Sequence, residues 1–246
     1  MIALKSSREI EILEEAGAIL RRVLEAVEKA VCPGVRTETL DAMAEEMIVK
    51  AGGRPAFKGY RGFPKTACIS INEEVVHGIP GSRKLQDGDI VSFDIGVQWK
   101  DYFSDAARTW PVGKVSDSSK RLIEAAKDGF FAGVDAYYPG CRLGDISEAI
   151  QRKIESSGFH VIRDYVGHGI GRAIHEEPQV PNFGTAGKGP RIEAGMVLAI
   201  EPMVTEGGYE VEVLRDGWTV VTRDRKRASH YENTVVFTEK GYRVLT

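Results

Sequence analysis

The chain repeats itself. Pro33-Gly34-Val-Arg36-x-x-x-Leu40 returns as Pro139-Gly140-Cys-Arg142-x-x-x-Ile146, 106 positions later, and Gly52 returns as Gly158 at the same offset. Leu85-x-x-Gly88-x-Ile90-Val91-x-Phe93-Asp94 returns as Ile192-x-x-Gly195-x-Val197-Leu198-x-Ile200-Glu201 at an offset of 107. His77-x-x-Pro80 and His175-x-x-Pro178 share a form, although their offset is 98. Two long matches at nearly one offset imply a duplicated unit. A duplicated unit is expected to leave its apolar face open when it stands alone. The two units are therefore expected to pack about a pseudo-twofold axis, which makes residues 1–246 one domain.

Hydrophobic spacing fills in the unit. Residues 7–31 place Ile10, Leu13, Ala16, Leu20, Val23, Leu24 and Val27 on one helical face, with Ser7 as N-cap and Pro33-Gly34 as the stop. A second helix covers 37–51 and ends at Gly52-Gly53. Segments 66–71, 89–97 and 102–112 read as strands between Gly, Pro and Asp turns. Helices return at 117–137 and 144–157, and strands at 159–164, 196–204, 209–214, 218–222 and 232–237. Helix, helix, strands, twice over, is an α+β chain.

Composition narrows the function. A formal charge of −3 lacks the basic surplus of a dedicated nucleic-acid binder. No apolar run reaches the ~18–20 residues of a membrane span, and MIALKSSREIEILEE has no signal-peptide apolar region. Three widely spaced cysteines, Cys32, Cys68 and Cys141, suit a reducing cytoplasm better than a disulfide scaffold. GxSxG, GxxxxGK[ST], CxxC and HExxH are all absent, and Gly167-His168-Gly169-Ile170-Gly171 falls short of a full GxGxxG. Arg223, Arg225, Lys226 and Arg227 read as a solvated hairpin loop, with ribosomal RNA contact as the alternative.

The acids carry the chemistry. Asp94 and Glu201 occupy equivalent places in the repeat, each in an apolar run. A carboxylate there costs several kcal/mol unless it is paired or ligates a metal. A hairpin loop centred on Trp99-Lys100 would set Asp105 opposite Asp94, and Glu232 opens another apolar strand. Taken singly, each acid also reads as a turn cap. Taken together, Asp94, Asp105, Glu201 and Glu232 bring four negative charges, which two divalent ions balance and one does not. His168, set between glycines, adds a neutral nitrogen, and His77 and His175 sit in similar Gly/Pro surroundings, whereas His160 and His230 do not. Mixed oxygen and nitrogen ligation without thiolate suits Co, Mn, Fe(II) or Zn, and paired ions of this kind serve hydrolysis.

These residues, in this order, resemble type I methionine aminopeptidases. The likeness runs through Tyr60-x-x-Phe63-Pro64, Cys68-Ile-Ser70-x-Asn72, His77-Gly78-Ile79-Pro80, Asp94, Asp105, Gly167-His168-Gly169-Ile170-Gly171, His175-Glu-Glu-Pro178, Glu201-Pro202-Met203 and Glu232. It implies the pita-bread fold, an α+β fold of two pseudo-twofold-related halves around an antiparallel sheet. It implies two divalent metal ions that activate a bridging water, with Asp94 and Asp105 on one ion, His168 and Glu201 on the other, and Asp105 and Glu232 bridging. Glu201 would shuttle the proton, His175 would bind at the reacting carbonyl or nitrogen, and His77 would position the following amide. Tyr60, Phe63, Cys68 and Trp218 would form a methionine pocket. The substrate would be the N-terminal peptide of a nascent protein, cut after its initiator methionine when the second residue is small. The resemblance further implies a cytoplasmic monomer in transient contact with the ribosome, with no membrane and no specific nucleic-acid partner.

Phe57 and Ile174 depart from the residues common in bacterial members. The 25 residues between His175 and Glu201 leave no room for the helical insert of type II enzymes, and the early start of the first helix leaves none for an N-terminal zinc-finger extension. Two other readings stay open: an X-Pro dipeptidase or aminopeptidase on the same fold, and a non-catalytic binding protein. The first usually carries an added N-terminal domain, and the second usually loses ligands.

Overall fold

A computed structural model describes residues 2–246. The duplication is visible in the backbone. Gly34 and Gly140 have φ of 92° and 91°, Gly52 and Gly158 both have 83°, and Gly88 and Gly195 have 94° and 93°. Each pair therefore turns the chain through the same left-handed conformation, which is open to glycine without a Cβ penalty. The isolated bridges Arg36↔Lys84 and Arg142↔Arg191 are equivalent too. Each half opens with two helices: α1 (Ser7–Ala30) and α2 (Thr37–Lys50), then α3 (Asp117–Asp135) and α4 (Leu143–Ser156).

Helix α1 starts one residue earlier than its apolar pattern suggests. Ser6, not Ser7, is the N-cap, and it forms a capping box with Glu9. Buried Leu13, Ala16, Leu20, Val23 and Val27 follow at helical spacing. The helices cover one face of a nine-stranded sheet. Its main path runs Arg54–Pro55, Ile90–Trp99, Tyr102–Pro111, Glu232–Thr238, Val197–Ile200, Gly167–Gly169 and Glu176–Val180, all neighbours antiparallel. Strand Ala67–Ile71 pairs beside Ile90–Trp99, and Gly241–Val244 beside Glu232–Thr238.

The alternation of side chains along these strands sorts core from site. Val91, Phe93, Ile95 and Val97 join α1 and α2 in one apolar cluster, while Leu198, Ile200, Val235 and Phe237 join α3 and α4 in another. Ser92, Asp94 and Gly96 must then face away from α1 and α2. Asp105, Ala107, Ala199, Glu201 and Glu232 occupy the corresponding positions of their own strands. Two smaller sheets flank that face. One joins Ala228–His230, Met203–Thr205 and His160–Val161; the other joins Val211–Val213, Val220–Thr222 and Glu74–Val76.

Three further details differ from the sequence reading. The 196–204 strand is two strands in different sheets, Val197–Ile200 and Met203–Thr205, because Pro202 offers no N–H to continue the ladder. Glu201 therefore sits at a strand end rather than inside one. The 159–164 strand shrinks to His160–Val161. The hairpin turns at Lys100-Asp101, both with positive φ, so Asp94 faces Ala107 and Asp105 faces Gly96. That register is two residues from the expected one, which leaves both acids on the same face as diagonal neighbours.

Candidate metal centre

The sheet brings acids from both halves to one spot. The strands Tyr102–Pro111 and Glu232–Thr238 meet with Glu232 opposite Ala107, so Glu232 is a diagonal neighbour of Asp105. His168 pairs with Ala199, two residues before Glu201. Ligand atoms of Asp105, His168 and Glu232 all lie within 4.8 Å of one another. Glu201 Oε1 stands 3.7 Å from His168 Nε2, and Asp105 Oδ2 stands 3.8 Å from it. Asp94 flanks this group from the neighbouring strand.

These carboxyls are buried without adequate partners. Among the described residues, Asp94 Oδ1 and Asp105 Oδ1 have no hydrogen-bond partner. Burial, then the Asp105 charge, lifts the Asp94 carboxyl well above its ordinary range. Burial lifts Asp105 to about 7, against the pull of the Ala106 N–H. Glu201 and Glu232 are pushed up by burial first and by the neighbouring carboxylates second. A cluster so disfavoured as anions fits a cation between its members.

His168 turns a free ring nitrogen towards the acids. Its Nδ1 lies 2.9 Å from the carbonyl of Gly169, which can only accept, so Nδ1 carries the proton and Nε2 keeps its lone pair towards the acids. Burial, then His175, brings the imidazole down to about 3, so it is neutral at physiological pH. Both flanking glycines are required by close backbone approach. A Cβ on Gly167 would lie 2.3 Å from Ala199 O, and one on Gly169 would lie 2.3 Å from Glu177 O. Separations of 3.7–3.8 Å are too long for hydrogen bonds. They suit donors that share an ion through bonds of about 2.0–2.2 Å. The donor set of four carboxylates and one imidazole therefore fits divalent metal.

Beside Asp94 lies a cavity of about 130 Å³, lined by Tyr60, Phe63, Cys68 and Trp218 together with Phe57, Arg61, His77 and His175. Cys68 faces Asp94 across the strand pair, and burial pushes its thiol up. Phe63 meets Trp218 edge-on at 5.2 Å. Of the two departing residues, Phe57 lines this cavity; a Cβ on Gly96 would meet it at 2.9 Å and Ile174 at 3.1 Å, so both pack over the glycine opposite Asp105. A larger hollow of about 430 Å³ lies on the helix side of the sheet, between α1 and α3, and includes none of the acid cluster.

The two histidines reach the cavity from different supports. His77 follows Glu74–Val76 and has φ of 61°, a left-handed strain held by its surroundings. Burial lowers it to about 4, with His175 adding to the effect. The His175 ring lies tilted against His168, with centroids 4.3 Å apart, and its Nδ1 lies 2.9 Å from the Tyr60 hydroxyl. The turn bearing His175 is tied by Glu176, whose Oε1 accepts from the N–H groups of Arg172 and Ala173 and whose Oε2 accepts from buried Lys5 at 2.7 Å.

Sequence reasoning missed several supporting residues. Arg108 donates to the carbonyl of Glu232 and to Asn233 Oδ1. Thr234 Oγ1 accepts from Asp105 N–H and donates to Asp105 O. Asn182 Nδ2 donates to Glu201 O at 3.0 Å. His230 is fully buried with Nε2 3.7 Å from Glu201 Oε2. No local signal marks His230, which ends a separate short strand, Ala228–His230, in a different sheet from Glu232–Thr238.

A buried acid–histidine centre on a duplicated α+β sheet defines a class of metal-binding hydrolase sites, and the chain's relatives agree with that class. The profile of Metallopeptidase family M24 matches residues 11–239. The methionine aminopeptidase of Clostridium perfringens is 52% identical over all of this chain and 99% of its own length. Methionine aminopeptidase 1 of Bacillus subtilis is 50% identical over the same shares. The crystal structure of the Thermotoga maritima methionine aminopeptidase superposes with a TM-score of 0.98 at 45% identity, covering 100% of this chain and 99% of that one. The prolidase of Pyrococcus furiosus superposes with a TM-score of 0.81 at 25% identity, but this chain covers only 65% of it. The chain belongs to metallopeptidase family M24, in its methionine aminopeptidase branch.

Proposed function

We propose that this chain removes the N-terminal methionine from nascent proteins whose second residue is small, as a type I enzyme using two divalent ions. The observation that carries this reading is the placement of an apolar, sulfur- and aromatic-lined cavity directly against Asp94, with His77 and His175 at its border. The cavity accepts a short unbranched side chain, and the adjoining carboxylates attract the free α-amine, which selects chain ends over internal peptide bonds. Asp94, Asp105, His168, Glu201 and Glu232 would hold the ions. When bound, these supply activation of the attacking water.

The remaining work falls to the chain's own side chains. Glu201 accepts the water proton and returns it to the leaving amine. His175, held by Tyr60, donates to the reacting carbonyl and stabilises its developing charge. His77 positions the amide of the second residue. Residues 1–246 act as one domain in this reading, and the protein works in the cytoplasm as a monomer in transient contact with the ribosome.

The test is hydrolysis of Met-Ala-Ser after chelation and re-addition of Co, Mn, Fe(II) or Zn one at a time. Asp105→Ala should abolish turnover in a folded protein, and His175→Ala should lower kcat with two ions still bound per chain. Wild-type turnover by the first variant, or metal loss in the second, overturns the assigned roles. The prolidase likeness favours X-Pro dipeptide cleavage as a second reading, and X-Pro substrates assayed beside Met-Ala-Ser separate the two.

A further inference from the structure

His230 is 1% exposed, and both ring nitrogens lack a hydrogen-bond partner among the described residues. A neutral imidazole carries one donor and one acceptor, and burying both unpaired costs several kcal/mol. Its neighbours in the cluster differ: His168 and His175 each have Nδ1 engaged. The His230 backbone cannot drift towards a better partner. Its N–H donates to Thr109 Oγ1 at 2.9 Å, its carbonyl accepts from the same hydroxyl at 2.8 Å, and it pairs with Met203 in the sheet. The ring is thus anchored with Nε2 aimed at Glu201 Oε2, 3.7 Å away.

Glu201 has complementary needs. Its carbonyl is held by Asn182, its Oε1 points to His168 Nε2, and its Oε2 points to His230. A carboxylate on a short side chain can exchange its two oxygens by rotation. A donor on one of them decides which oxygen faces the metal centre, and such outer partners tune affinity as well as orientation.

We propose that His230 is a positioning residue, whose Nε2–H holds Oε2 of Glu201 and so presents Oε1 beside His168 for metal binding. The proposal rests on the reading of Glu201 as a ligand. A movement of about 1 Å closes the present gap to hydrogen-bond length.

Three substitutions test it by calorimetric Mn²⁺ titration, with circular dichroism to follow the fold and Met-Ala-Ser kinetics as a second readout. His230→Gln sets an amide N–H near the former Nε2, His230→Asn sets one near Nδ1, and His230→Leu removes the donor. His230→Gln is expected to keep Mn²⁺ affinity within about threefold. His230→Asn and His230→Leu are expected to weaken one of two sites by about 10–100-fold, with kcat falling and KM little changed. If His230→Leu does not fold, the Gln and Asn pair decides. Wild-type affinity and kcat in His230→Asn or His230→Leu overturn the proposal, as does a folded His230→Gln no better than His230→Asn. A change confined to which second residue is accepted, with Mn²⁺ binding unmoved, overturns it too. Glu201→Gln serves as the control: if it binds two Mn²⁺ as wild type does, the ligand reading itself fails, independently of His230.

Discussion

Replacing Asp105 by asparagine separates the electrostatic load of the acid cluster from its use. Asp105 is 3% exposed, and burial lifts its carboxyl from 3.8 to about 7. In metal-free protein at pH 8 the group is ionised whether the chain is folded or not, and the folded state bears the whole difference. At ~1.4 kcal/mol per pH unit that is roughly 4 kcal/mol. An amide of the same shape bears no charge, and loses ~1–3 kcal/mol through an imperfectly paired NH₂. With chelator at pH 8, Asp105→Asn should therefore be about 1–3 kcal/mol more stable than wild type.

The sign reverses with acid. Because the folded value is raised, the folded protein holds a proton at pH 5 that the unfolded chain has released. Lowering the pH from 8 to 5 thus returns roughly 3 kcal/mol to wild type through Asp105, a contribution the variant lacks. The cluster histidines and the raised carboxyls of Asp94, Glu201 and Glu232 titrate in both proteins, so the comparison isolates Asp105 together with its charge coupling to those acids. Urea unfolding followed by circular dichroism in EDTA at both pH values measures the difference. If it is the same at pH 5 and pH 8, the assignment of Asp105 as a buried, charge-strained carboxyl is wrong. Adding Mn²⁺ at pH 8 should invert the order, since wild type gains ~2.7 kcal/mol per site at 100 times the dissociation constant.

Gly169→Ala would set a Cβ 2.3 Å from Glu177 O. It should lower stability by ~1–3 kcal/mol and displace His168, with kcat on Met-Ala-Ser down at least tenfold; a wild-type melting temperature and rate would refute the close approach. Lys5→Met strips the partner from Glu176. A loss of about 3 kcal/mol in urea, together with a lower kcat, is expected, and an unchanged protein would show that the pair does not brace the His175 turn. Iodoacetamide at pH 8 should modify exposed Cys32 well before Cys68 and Cys141, whose thiols burial pushes up. Labelling of Cys68 at the Cys32 rate in native protein would contradict its placement.

Helices and long strands were legible because Leu13, Leu20 and Val27, or Val91, Phe93 and Ile95, each obey one period. The duplication was legible because its turns demand glycine: only a left-handed backbone explains Gly34 with Gly140 and Gly88 with Gly195. Asp94 and Glu201 stood out as charge in apolar company. The hairpin register was hidden because Lys100 and Asp101 adopt positive φ without the Asn-Gly signature. The strand break at Pro202 was written in the sequence and overridden by the apolar run around it. Two- and three-residue strands such as Arg54–Pro55 and Gly167–Gly169 have no period to detect. His230 and Asn182 matter only through what the fold sets beside them, and nothing local marks them.

The central pairing of Tyr102–Pro111 with Glu232–Thr238 has a mechanical consequence. Asp94 and Asp105 ride on one half, His168, Glu201 and Glu232 on the other, so an ion held among them, as proposed, would work as a rivet through the seam. Withdrawing it leaves like charges prying the two lobes apart at the very joint that shapes the cleft. Loosening is therefore expected to begin at the hinge line, ahead of the outer helices, and a fragment carrying either lobe alone would lack half the grip.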